Sequence, residues 1–156
     1  MTHVISGFIC RAEHLKEKTK AFKTAKIIPL RQGFAFMPLG NVLYDEVAQV
    51  SKRPMMHLAG KLRSRHVPIA WVETDYFGGF GNQSAIVWKN GGRQRFRGAD
   101  GSGGHINKAL KELGVRHNEL VSEFHDEFDE LGLGEHRTNE SWLGEEDNQW
   151  DNQNFI

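Results

Sequence analysis

Cysteine is nearly missing from this chain: among 156 residues only Cys10 carries a thiol. A single thiol forms no internal disulfide, and such economy fits a reducing compartment. Cys10 follows the apolar run Val4 to Ile9, which favours a buried thiol over a nucleophile. That run is too short and too weakly flanked for a secretory leader. No apolar stretch approaches the roughly 20 residues of a membrane-spanning helix. The expectation is a soluble cytoplasmic protein without a membrane partner. Net charge is missing too, because 20 Lys and Arg balance 20 Asp and Glu.

Several reaction signatures are also absent. No Gly-Lys-Ser/Thr follows the glycine-rich stretches, and the stretch at residues 77–83 leads into a strand, so neither a phosphate loop nor a dinucleotide site fits. Eight histidines are present, but the His-x3-His spacing of zinc helices is not. His117, His125 and His136 do not share a helical face, although Asp126 and Glu135 lie near them. Ser84 and Ser102 lack the strand-to-helix elbow of a nucleophile. No metal and no cofactor is expected.

What is present suffices for a core. Hydrophobic residues make up 38% of the chain, with 10 Phe, 4 Trp and 2 Tyr. A single domain of this length buries about two-thirds of its unfolded surface. The neutral total hides an uneven distribution: beyond residue 116 the only cationic Lys or Arg is Arg137, against 12 acids. Such asymmetry marks either an acidic segment folded onto a basic body or a surface for a charged partner.

His3 to Ile9 reads as a strand, and Arg11 to Lys23 as a helix with Ala12, Leu15, Thr19 and Phe22 inward. Lys26–Leu30 and Phe34–Leu39 read as short strands joined tightly through Arg31-Gln32-Gly33. Pro29 and Pro38 push them toward sheet edges. Asn41 is placed to cap a helix carrying Val42, Leu43, Val47 and Val50. Pro54 opens another, with Met55, Leu58 and Leu62 inward, that must stop before Pro68. The clearest pattern follows: Ile69–Tyr76, Ser84–Lys89 and Arg93–Phe96 form a meander with a turn at Asn90-Gly91-Gly92. In its first strand Ala70, Val72, Thr74 and Tyr76 take one face, and Trp71, Glu73 and Asp75 the other. His105–Leu113 is a helix closed by Gly114. Asn118 caps a last helix with Leu120, Val121, Phe124, Phe128 and Leu131 as its stripe. The predicted fold is α+β, one domain over residues 1–143. It has a mixed, mostly antiparallel sheet of about six strands, flanked by about five helices on one side. Residues 144–156 are an acidic, mobile tail.

Three constellations carry chemistry. Tyr76, Phe77, Gly78, Gly79, Phe80, Gly81, Asn82 and Gln83 span a connection richer in glycine than a hairpin needs, suited to meeting a protein partner through its phenylalanines. Glu73 and Asp75 stand about 7 Å apart on one strand face. That spacing fits a divalent ion or an acid/base pair, with Gln83 and His105 within plausible reach, although the lysine of Asp/Glu-x-Lys nucleases is missing. Arg93, Arg95 and Arg97 share one face of their strand. They either pair with those carboxylates, if the face is common, or track phosphates together with Lys89 beside Trp71, Trp88 or Phe96. Asp126, Glu127, Asp129 and Glu130 form the densest acidic stretch.

The segments YFGGFGNQSAIVW, INKALKELGV and FDELGLGEHR, with ISGFI and IIPLRQGFAFMPL nearer the start, resemble a family of small bacterial proteins of unassigned function. The resemblance covers most of the chain. It implies a compact, independently folding bacterial protein from accessory or defence loci, and it brings no catalytic residues. The first-ranked expectation is a non-enzymatic, protein-binding protein of immunity or regulatory type. It would act through residues 76–83 and the acidic stretch at Asp126, Glu127, Asp129 and Glu130. A metal-dependent hydrolase or nuclease using Glu73 and Asp75 is the alternative, and nucleic-acid binding through Arg93, Arg95 and Arg97 ranks below both.

Overall fold

Apolar side chains occupy both faces of the longest strands, which forces the sheet to be covered on two sides. The computed structural model describes residues 2–77, 80–98, 104–116 and 126–145. Six strands form one sheet in the order β2-β3-β1-β4-β5-β6. They are β1 (Thr2–Arg11), β2 (Ile28–Pro29), β3 (Phe34–Pro38), β4 (Ile69–Phe77), β5 (Phe80–Lys89) and β6 (Gly92–Gly98). All five pairings are antiparallel, and the fold is α+β as expected. Among the described residues the one parallel pairing is an isolated bridge between Val4 and Thr138.

Helices cover both faces of the sheet, not one. On the first face Phe8, Cys10, Ala35, Met37, Ile69, Trp71 and Trp88 pack against α1 (Ala12–Lys18), α2 (Asn41–Ala48) and α3 (Pro54–Leu62). These helices contribute Leu15, Leu43, Val47, Leu58 and Leu62. On the second face Ile5, Ile9, Phe34, Phe36, Ala70, Val72, Ala85 and Val87 meet α4 (Gly104–Leu113), α5 (Glu127–Leu131) and Trp142 of α6 (Asn139–Trp142). Each fully buried large apolar side chain is worth about 1.5–3 kcal/mol. Two clusters of this size are therefore the main source of stability.

Local chemistry moves several boundaries. α1 stops at Lys18, and beyond it Glu46 of α2 accepts hydrogen bonds from the backbone N–H of Lys23 and Thr24 and from the Thr24 hydroxyl. Those donors have their partner in α2 rather than within a longer helix. Gly40, not Asn41, is the residue preceding α2, and Asn41 is already helical. Leu43 and Val47 point inward as expected, whereas Val42 (54%) and Val50 (69%) are exposed. α5 begins only at Glu127. Asp126 is extended (φ −115°, ψ −174°) and forms a capping box with Asp129, so the expected helix does not run through to Leu131 from Asn118. Residues 117–125, with Asn118, His117 and His125, lie outside the described residues, as do 146–156 of the acidic tail. The turn after β5 follows its sequence: Asn90 (φ 53°) and Gly91 (φ 79°) are both left-handed, as a two-residue type I′ hairpin requires.

β1 extends past β3, which pairs only with Gly7 to Arg11. The open edge at Val4 to Ser6 is met by the C-terminal segment. Val4 N donates to Arg137 O at 2.7 Å, and Ser6 N donates to Asn139 Oδ1 at 2.9 Å. Among the described residues no helix is long and apolar enough to cross a membrane.

Candidate functional site

The sheet pleat decides which residues meet. Register places Val4, Ser6 and Phe8 of β1 beside Asp75, Glu73 and Trp71 of β4. These lie beside Asn82, Ser84 and Ile86 of β5, and the last two are followed by Arg97 and Arg95 of β6. All share the α1–α3 face. The helices cover its lower half, where Trp71 is only 5% exposed, while Glu73 and Asp75 lie beyond them in solvent. A groove of about 520 Å³ opens there over Glu73 and Asp75, with Ser84 and Asn82 on its floor and Tyr44, Met55 and Val4 among its walls. That volume lies within the range of ligand sites.

Glu73 is held rather than loose. Trp71 Nε1 donates to its Oε1 at 2.7 Å, and Ser84 Oγ donates to its Oε2 at 3.4 Å. Asp75 is exposed on the same face. The condition set for an arginine pairing, a common face, is met. However, β6 is two strands from β4, about 10 Å at usual strand spacing. Among the described residues no ion pair joins Arg93, Arg95 or Arg97 to an acid. The groove therefore presents two carboxylates unpaired by a described cation.

The expected glycine-rich connection is largely strand. Tyr76 pairs with Gly81 and Phe77 with Phe80 in the β4–β5 ladder, and Asn82 and Gln83 also belong to β5. The connection therefore shrinks to Gly78-Gly79, which, with the Phe77 and Phe80 side chains, lies outside the described residues. Gly81 is sterically obligatory, since a Cβ there would sit 1.9 Å from the Asp75 carbonyl oxygen. Asn82 reaches the groove. Gln83 does not join Glu73 and Asp75. It points to the opposite face, is 7% exposed, and accepts from Ile106 N at 3.2 Å. His105, on α4, belongs to that opposite layer as well.

The acidic quartet is mostly occupied by the fold. Asp126 and Asp129 bond each other's backbone, and Asp126 Oδ2 also accepts from Asn107 Nδ2 at 2.9 Å. Glu127 is 2% exposed and lies 3.7 Å from Lys111 Nζ; Glu130 is half-buried. Among the described residues no group of three or more His, Cys, Asp or Glu is arranged to hold a metal ion. Cys10 is fully buried and burial pushes its thiol up to about 12, so it is inert as a nucleophile near neutrality.

Sequence reasoning missed Val4, Ser6, Tyr44 and Met55, which shape the groove from three other elements. One cue was available: Tyr44 is a large apolar residue off the Leu43–Val47 stripe, and it stays 47% exposed. Comparison with family models, curated proteins and solved structures finds no match to this chain.

Proposed function

We propose that this chain is a non-enzymatic protein-binding module that receives a basic side chain of its partner, lysine or arginine, in the groove over Glu73 and Asp75. The supporting observation is the groove itself: two carboxylates with no described counter-ion, one oriented by Trp71 and Ser84, beside the exposed side chains of Tyr44 and Val4. A carboxylate pair against an aromatic wall suits a cation with an aliphatic stem. An exposed apolar rim suits a protein rather than a small polar ligand. Catalysis is less well supported, since both oxygens of Glu73 already accept hydrogen bonds. Occlusion of a basic partner, as an immunity-type or regulatory protein would perform, needs no chemistry at the site.

The test is a displayed random-peptide selection against the whole protein. Enriched peptides are expected to carry Lys or Arg next to apolar residues. Their affinity should fall at least tenfold for Glu73→Gln with Asp75→Asn, and also for Tyr44→Ala. Enrichment without basic residues, or affinity untouched by these changes, would remove the proposal. One observation favours a second reading: both carboxylates open into the same groove, as a metal-dependent hydrolase would require.

A further inference from the structure

A second concave surface lies at the other end of the same sheet face. The loop after α3 brings Arg63, Ser64 and Arg65 against Trp88 and the Gly91-Gly92 turn, enclosing a notch of about 220 Å³. From that notch β6 runs along the edge of the sheet. The register Trp88↔Arg93, Ile86↔Arg95 and Ser84↔Arg97 sets three arginines on the notch's own face. All five arginines are exposed, and among the described residues none makes an ion pair.

Charged side chains on an edge strand commonly serve only to block edge-to-edge aggregation. That role explains neither why Arg63 and Arg65 arrive from a different element nor why a notch forms between them and the turn. Five exposed arginines on one sheet face make a locally positive surface that favours a polyanion, and the guanidinium fork suits phosphate oxygens.

We propose that this edge binds the phosphodiester backbone of a single-stranded nucleic acid. One phosphate sits in the notch by Arg63 and Arg65, and its neighbours follow Arg93, Arg95 and Arg97. The three β6 arginines span about 13 Å at usual strand rise. Beside them β5 presents Ile86 and Ser84, both partly exposed and uncharged, a neutral strip on which bases lie. One strand further in stand Glu73 and Asp75, whose charge bars a second phosphate backbone from the face. Hence the preference for a single strand over a duplex. The strip borders the protein-binding groove, whose lining includes Ser84, but the five arginines lie outside that lining, so the proposal does not rest on the protein-binding reading.

The experiment is fluorescence anisotropy of the whole protein with a labelled oligothymidylate of about twelve nucleotides, across about 50 to 200 mM salt. If all five arginines engage phosphate, log K should fall against log salt with a slope of about −3.5, about −0.7 per contact. Arg63→Gln with Arg65→Gln should reduce the slope by about 1.4, and the triple change at Arg93, Arg95 and Arg97 to Gln by about 2.1. Each set should weaken low-salt binding at least tenfold. Because all these side chains are exposed, unchanged circular dichroism and melting are expected in the variants. Glu73→Gln with Asp75→Asn should leave single-strand binding intact and narrow the preference over duplex. No binding at the lowest salt would overturn the proposal, as would a slope unaltered by both arginine sets. So would a duplex or polyglutamate that binds as tightly as the single strand, since that would indicate a general polyanion or acidic-protein surface.

Discussion

His3 illustrates how one residue near the start of the chain couples sheet register to pH. Thr74 Oγ1 donates its proton to His3 O at 3.1 Å and accepts from Ile5 N at 3.1 Å, so the 2.6 Å contact with His3 Nδ1 requires that nitrogen to be the donor. Burial holds His3 below the ordinary histidine value of 6.5; the Leu133 backbone opposes this and Arg137 adds to it. Below 6.5 the unfolded chain therefore takes up a proton that the folded chain resists. Between the lowered folded value and 6.5 the unfolded state binds more protons, so stability falls as pH is lowered through that window. Thermal melts across that range should show a decline that His3→Asn makes shallower. Parallel pH curves for the two proteins would show that His3 is not the group responsible. At this scale the strand alternation told which β4 residues share a face, Thr74 with Ala70, Val72 and Tyr76. It could not tell that the Thr74 hydroxyl would be shared between a ring and two backbone groups on β1.

At the scale of elements, one side chain expected to bind a ligand instead starts a helix. Gln83 on β5 caps the first turn of α4 through Ile106 N, a donor that the helix itself leaves without a partner. Replacing Gln83 with Ala should cost about 1–2 kcal/mol, as loss of a buried cap does. In a domain of this size that lowers the melting midpoint by about 2–8 °C. Because Gln83 faces away from Glu73 and Asp75, peptide binding in the groove should be unchanged at temperatures where the variant is folded. Loss of binding with no loss of stability would instead return Gln83 to the site. The helix cores at Leu43–Val47, Leu58–Leu62 and Ile106–Leu113 were legible, because their apolar spacing is local. The end of α1 and the start of α5 were not. After the first, Glu46 of a separate helix holds residues 23 and 24, and at the second an aspartate turns its own backbone extended; periodicity records neither.

For the whole molecule, the β4–β5–β6 meander was readable because hairpins join neighbours in sequence. The two-sided cover was hinted at by the unbroken apolar run Ile69-Ala70-Trp71-Val72, which an alternating, one-sided strand would not carry. Closure of the β1 edge by Asn139 was not readable, since it joins residues 133 positions apart. The groove is a product of these long-range choices: α2 and α3 stop short of Glu73, and β1 brings Val4 alongside Asp75. Its chemistry separates the two readings of the carboxylates. A metal that binds only the folded protein stabilises it by about 2.7 kcal/mol at a hundredfold excess over its dissociation constant, which here is a rise of about 5–11 °C in melting midpoint. With Glu73 already accepting from Trp71 and Ser84, and no third His, Cys, Asp or Glu grouped with it among the described residues, millimolar magnesium, manganese or zinc should leave the midpoint unmoved. A rise of several degrees that vanishes in Glu73→Gln with Asp75→Asn would put the hydrolase ahead of the binding module. A rise that survives that double change would place the metal elsewhere and leave the groove to its protein partner.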